Sequence, residues 1–145
     1  MFVFRFEAVL RARSHAEEIR RKALLEAEQG LAACREALRE IRRKRHHTWI
    51  ELETAKRSGF RAEQIALHLA FLERLEQDLR GKAGELAAAE QKVRRCRREL
   101  LEAVKARRML EKLREKDEAA WKAALDARER SFLDEVASRR TPGRL

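Results

Sequence analysis

Four histidines and two cysteines are the residues of this chain best suited to bind a metal ion or to act as nucleophiles. His46 and His47 are adjacent, so on a helix their side chains diverge by ~100° and cannot ligate one ion together. His15 and His68 are isolated in the sequence. No nucleophile stands in a recognisable pattern with a base. We therefore expect no metal site, no cofactor and no catalysis.

The two cysteines fit a structural role. Cys34 and Cys96 both fall on apolar faces, at different distances from a turn expected near Gly59. In a hairpin their offset along the axis would be about 18 Å, which is too far for a disulfide. They are expected to be small core residues of a reduced, cytoplasmic protein. Gly81-Lys82 lacks the glycine loop and the following Ser or Thr of a phosphate loop.

Two basic stretches are the other chemically distinctive segments of a chain whose formal charge is +10. The run Arg42–His47 could contact phosphates, but in a hairpin it faces Glu73, Glu76 and Asp78, which favours charge pairing between the helices. The stretch 92–116 has far more cations than carboxylates. It is either an ordinary solvated face or a contact for acidic protein loops or lipid headgroups.

The elements that carry these residues are predicted by an apolar stripe with a repeat near 3.5 residues. Only His68, Lys82 and Arg107 interrupt it. Such a stripe must be buried against another helix, and the chain before Gly59 supplies one. The stripe comprises Ile65, Leu72, Leu75, Leu79, Leu86, Ala89, Val93, Cys96, Leu100, Ala103 and Leu110.

Composition agrees with an all-α fold, because 41% of the residues are charged and Pro142 is the only proline. We predict a single domain with helix one over about 4–57, a turn over about 58–61, helix two over about 62–138 and a disordered tail over 139–145. The first residues, 1–6, are interpreted as a frayed, apolar helix start leading into Val9, Ala16 and Ile19. Cations before Gly59 suit a helix end. The two helices are expected to form an antiparallel coiled-coil hairpin.

The arms of this hairpin are unequal, so about 25 residues of helix two are expected to overhang. Trp121, Leu125, Phe132 and Val136 share one face of that segment. Because isolated helices are marginal in water, this face is predicted to bind a partner. A homodimer that buries the overhang is one alternative.

Aromatic and aliphatic residues also gather near the expected turn. Trp49, Phe71, Leu75 and Phe60 lie partly outside the stripe, and such residues are often partner anchors. The alternative is that they pack on one another and seal the turn, which we favour for Phe60. For Trp49 and Phe71 both interpretations stay open.

Two segments resemble the flagellar export protein family FliJ. The start of the chain, Phe4-Arg5-Phe6-Glu7-Ala8-Val9-Leu10-Arg11-Ala12-Arg13 followed by His15-Ala16-Glu17-Glu18, is similar to the start of that family. The C-terminal helix from Leu110 to Ala137 resembles the family's last helix, and the total length matches. The stalk proteins of virulence type III secretion systems are the related group most easily confused with it.

The resemblance implies a non-enzymatic, cytoplasmic coiled coil of the flagellar type III export apparatus. FliJ proteins resemble the central stalk of rotary ATPases, insert into the export ATPase hexamer, link it to the membrane-embedded export gate and help to handle export chaperones. On this basis the ATPase contact is expected at Trp121, Leu125, Phe132 and Val136, and the gate contact at Trp49, Phe71 and Leu75. The protein would be peripheral to the inner membrane at the flagellar base, with no specific nucleic-acid partner. The alternatives are the equivalent stalk of a virulence type III secretion system and a basic coiled coil that binds nucleic acid.

Overall fold

Two long helices make up nearly all of the described chain. The computed structural model describes residues 1–59 and 61–140. Helix α1 runs Glu7–Arg57 (51 residues) and helix α2 runs Ala62–Arg140 (79 residues). Within the described ranges there is no strand. The all-α prediction of two long helices packed against each other is confirmed. Phe60 and residues 141–145 of the expected tail lie outside the described residues.

The turn between the helices depends on a glycine. Lys56 and Arg57 occupy the last turn of α1, where cations complement the exposed carbonyls. The Ser58 amide donates to the Thr54 carbonyl oxygen at 3.1 Å, and Gly59 then adopts a φ of 76°. That left-handed conformation is strained for a residue with a Cβ atom, so glycine is the residue that ends the helix.

The chain divides into two compact units. The first, here called the turn unit, comprises residues 20–100 and contains the turn. Ion pairs show that its helices are antiparallel, because partners on α2 descend as those on α1 ascend. They are Arg20–Glu99 at 2.9 Å, Glu28–Arg97 at 3.6 Å, Arg35–Glu90 at 4.0 Å and Arg45–Glu76 at 2.9 Å.

The core of the turn unit is a strip of small and aliphatic side chains. Ala27, Leu31, Val93 and Cys96 form one buried cluster, against which neighbouring alanines and leucines pack. Further buried residues towards the turn extend the strip; they are Leu38, Leu52, Ala55, Leu72 and Leu75. Much of the predicted stripe of α2 therefore lies between the helices, where burial removes its apolar surface from water.

The second unit, here called the terminal unit, contains both ends of the chain: residues 1–19 with the described part of 101–145. Glu7 pairs with Arg114 at 3.3 Å, and Leu10 is buried. The first residues are not the frayed helix start that we expected, because α1 begins only at Glu7. Phe4 is instead buried, and its ring meets the Phe6 ring edge-on at 5.8 Å between centroids. A turn, closed by the Glu7 amide donating to the Phe4 carbonyl oxygen at 3.2 Å, connects Phe4 to α1.

A buried carboxylate replaces an expected apolar residue in α1. Val9 and Ile19 are exposed, whereas Glu17 is only 4% exposed. Glu17 lies seven residues after the buried Leu10, so the heptad spacing itself places it between the helices. It remains there because Arg107 of α2, one of the interruptions of the stripe, pairs with it.

The glycines within the helices give a test of this architecture. A Cβ atom built on Gly30, Gly81 or Gly84 meets nothing within 4 Å. We expect alanine at each of these positions to raise the free energy of unfolding by about 0.5–1 kcal/mol, because alanine restricts the unfolded chain more than glycine does. Urea denaturation of each single variant measures this change.

Gly59→Ala is the matched control. Its Cβ also meets nothing within 4 Å, but the positive φ makes alanine strained there, so this substitution should lower the free energy of unfolding. A loss of stability at the three helical glycines as well would contradict the solvent-facing placement of those positions.

Candidate functional site

The last part of α2 presents an open apolar surface in the terminal unit. From Trp121 to Arg140 every residue is exposed, except for Val136, which is half-buried. Leu125 is exposed and Phe132 is 64% exposed, although both are large and apolar. Side chains of this kind stabilise a helix only when another surface covers them.

Trp121 differs from Leu125 and Phe132 because the N-terminal segment of the chain contacts it. The Phe2 ring lies 6.0 Å from the Trp121 ring, centroid to centroid, at an interplanar angle of 49°. Such tilted aromatic contacts are favourable. Exposure rises along this face, from 37% at Trp121 and 40% at Leu125 to 64% at Phe132. Sequence reasoning placed Trp121 in the free overhang because a ring contact with residue 2 leaves no trace in the periodicity.

The three residues expected near the turn have different environments. Trp49 lines a shallow groove with His46, Ile50 and Arg57, while Phe71 lines another one with Leu67. Trp49 is 47% exposed and Phe71 is 45% exposed. Leu75 is only 4% exposed, so it belongs to the packed strip between the helices. The structure places Trp49 and Phe71 in separate grooves and removes Leu75 from the accessible surface.

A carboxylate between two histidines lies beside the Phe71 groove. Glu51 Oε1 is 2.9 Å from His47 Nε2, and Glu51 Oε2 is 3.7 Å from His68 Nε2. The Nδ1–H of His68 donates to the Gln64 carbonyl oxygen at 2.7 Å. Both ring nitrogens of His68, one of the residues that interrupt the apolar stripe of α2, therefore have polar partners. Within residues 1–59 and 61–140 there is no group of three or more His, Cys, Asp or Glu side chains that could hold a metal ion.

The other two interruptions of the stripe also have carboxylate partners. Lys82 Nζ donates to Glu85 at 2.8 Å, and this hydrogen bond raises the pKa of Lys82. Arg107 donates to Glu17 and, at 2.6 Å, to Glu111. The hydrogen bond to Glu17, and to a lesser extent the one to Glu111, raises the pKa of Arg107. The guanidinium therefore stays charged at any pH at which the protein is folded. These pairs explain how polar side chains are tolerated beside the apolar strip.

Carboxylates pair with two of the four Arg and Lys residues in the run Arg42–His47. Arg45 pairs with Glu76, one of the three acidic residues expected opposite the run. Arg43 instead pairs with Glu40, one turn before it on the same helix. Charge pairing thus accounts for much of this run, and helical neighbours contribute as much as the facing helix does.

Neither cysteine forms a disulfide, in agreement with the predicted offset. Cys96 is buried, and Cys34 is half-buried with its Sγ 3.9 Å from the Lys82 carbonyl oxygen. Over the described ranges, no helix combines the length and the apolar character that crossing a bilayer requires.

Comparisons with known proteins match the chain over nearly its full length. The family model described as "Flagellar FliJ protein" matches residues 1–144. Among solved structures, a putative YscO homolog from Chlamydia trachomatis is similar over 96% of this chain and 93% of its own, with a TM-score of 0.50 and 21% sequence identity. At that identity the similarity concerns the fold alone. No curated protein sequence matches the chain.

The Glu17–Arg107 pair can be tested by exchanging it for apolar residues. Glu17→Leu alone leaves Arg107 without its buried partner, and Arg107→Leu alone removes the partner of a buried carboxylate on the facing helix. We expect each single variant to lower the urea midpoint. The double variant should recover the wild-type midpoint or exceed it, because facing leucines fit the strip and need no desolvated charge.

Glu102→Leu with Lys105→Leu is the control, since this pair is exposed and lies on one helix. Its single and double variants should differ little from the wild type. Additive losses at Glu17 and Arg107, with no recovery in the double variant, would contradict the coupling.

Proposed function

This chain belongs to the flagellar FliJ family, and we propose that it is a non-enzymatic stalk component of the flagellar type III export apparatus. In this role it inserts into the export ATPase hexamer, links the ring to the cytoplasmic domain of the export gate and assists export chaperones. It acts in the cytoplasm, peripheral to the inner membrane at the flagellar base. The family match over residues 1–144 is the observation that carries the proposal.

The exposed end of α2 supports the assignment of the ATPase contact. Trp121, Leu125, Phe132 and Val136 follow one another at helical spacing, and the exposed members need a covering surface. A subunit of the ATPase ring that packs against this face provides such a surface. Leu125 and Phe132 are the proposed anchors, while Trp121 contributes together with Phe2.

A double substitution tests this contact. Leu125→Ala combined with Phe132→Ala should weaken binding to the export ATPase about tenfold or more, since buried anchors dominate interface energies. Stimulation of ATP hydrolysis by the chain should fall in parallel. Titration of the ATPase with each variant, at matched helicity by circular dichroism, measures both.

Leu133→Ala is the matched control, because Leu133 is as exposed as Phe132 but lies on a different face of the same helix. It should leave the stimulation unchanged. Equal stimulation by the wild type and the double variant would refute the proposed contact.

The gate contact is proposed at the turn end of the turn unit. Phe71 and its neighbour Leu67 form an exposed apolar pair one turn apart on α2, and Trp49 is exposed on α1. Leu75 is included as the buried side chain one turn from Phe71 that holds this part of α2 against α1. Since Trp49 and Phe71 line different grooves, a gate segment that uses both must contact two sides of the unit.

Single substitutions separate these sides. Phe71→Ala should weaken binding to the cytoplasmic domain of the gate protein about tenfold, and Trp49→Ala should do the same if the gate contacts both grooves. Leu69→Ala, a comparably exposed leucine close to Phe71, is the control and should have little effect. Isothermal titration with the isolated gate domain measures the affinities. Wild-type affinity of the Phe71 variant would remove Phe71 from the contact.

A further inference from the structure

Three arginines on α2 of the turn unit have no acidic partner. Arg94, Arg95 and Arg98 are exposed, and none of them forms an ion pair or a hydrogen bond within residues 1–59 and 61–140. The carboxylates within four residues along the helix are already engaged, because Glu90 pairs with Arg35, Glu99 with Arg20 and Glu102 with Lys105. This arginine cluster (Arg94, Arg95 and Arg98) is therefore an uncompensated positive surface.

The cluster contrasts with the basic run at the other end of the same unit. In that run Arg43 pairs with Glu40 and Arg45 pairs with Glu76, and just before the run Arg39 pairs with Glu36 at 3.2 Å. These interleaved carboxylates reduce the positive electrostatic potential of the run, although it holds at least as many cations as the arginine cluster. The two stretches look alike in composition, and only the pairing pattern separates them.

Helix geometry lets the three guanidinium groups reach one flat surface. At 3.6 residues per turn Arg98 lies about 40° from Arg94 and about 60° from Arg95, between them. The three side chains fan over about 100° of a convex face and about 6 Å of its length. Long arginine side chains can bend from both flanks towards a plane that touches the helix at Arg98.

We propose that the arginine cluster docks the protein on a bilayer surface that contains anionic phospholipids. Before the arginines the face around it offers Ala87, Ala88 and Gln91, and three residues after Arg98 it offers Leu101, which is 53% exposed. Residues 87–101 include no aromatic ring that could stack a nucleic-acid base, and an exposed aliphatic side chain beside arginines is typical of a helix that lies on a bilayer surface. Lipids of a fluid bilayer can diffuse to fixed guanidinium groups, each of which matches a phosphate with two hydrogen bonds.

This inference does not depend on the proposed export function, because it concerns the chain alone. The test uses the full purified chain and sedimentation with vesicles of phosphatidylcholine, with and without phosphatidylglycerol. The wild type should bind only the vesicles with phosphatidylglycerol, and salt should weaken the binding. Arg94→Gln/Arg95→Gln/Arg98→Gln should bind them about a hundredfold more weakly.

Arg39→Gln/Arg43→Gln/Arg45→Gln is the matched control, because it removes the same charge from three arginines that pair with carboxylates. It should retain affinity within a few-fold of the wild type, with the helicity of both variants checked by circular dichroism. Equal losses in the two variants would overturn the proposal, since net charge would then suffice. Absence of wild-type binding would overturn it too, as would tighter binding to duplex DNA than to the vesicles at equal salt.

Discussion

The burial of one narrow strip of each helix against the other is the constraint from which the remaining features of the chain follow. Helices with this many charged residues are marginal when isolated, so α1 and α2 depend on the strip for their stability. Small side chains such as Ala27 and Cys96 occupy it and allow the helices to approach closely. Polar residues remain beside it only with a partner, as Arg107 does with Glu17.

The sequence predicts the parts of this structure that repeat. The stripe through Leu72 and Val93 follows from spacing, and the end of α1 follows from Gly59. The sequence does not predict the burial of Glu17, because α1 carries many carboxylates that are exposed and look the same in the sequence. Only the structure shows that Arg107 lies opposite this one. The inward fold of Phe4 was also missed, since it rests on tertiary contacts of a segment with no helical period.

The candidate surfaces were predicted less completely than the fold. Periodicity places Trp121 and Phe132 on one face, but it cannot report that the Phe2 ring contacts Trp121. The sequence likewise places Leu75 near the turn with Phe71, but only the packing shows that Leu75 is buried and Phe71 is accessible. Which basic stretch is neutralised depends on side-chain pairing, which charge counting does not resolve.

Hydrogen exchange of the full chain, alone and with the export ATPase, tests the central claim most directly. That claim is that the strip stabilises residues 20–100, whereas the end of α2 beyond Trp121 needs a partner. In the free chain we expect strong protection along the strip and fast exchange over residues 122–140, because a lone exposed helix opens readily. Addition of the ATPase should protect residues 122–140 and leave the strip unchanged. Strong protection of residues 122–140 in the free monomer, or no gain with the ATPase, would contradict the account.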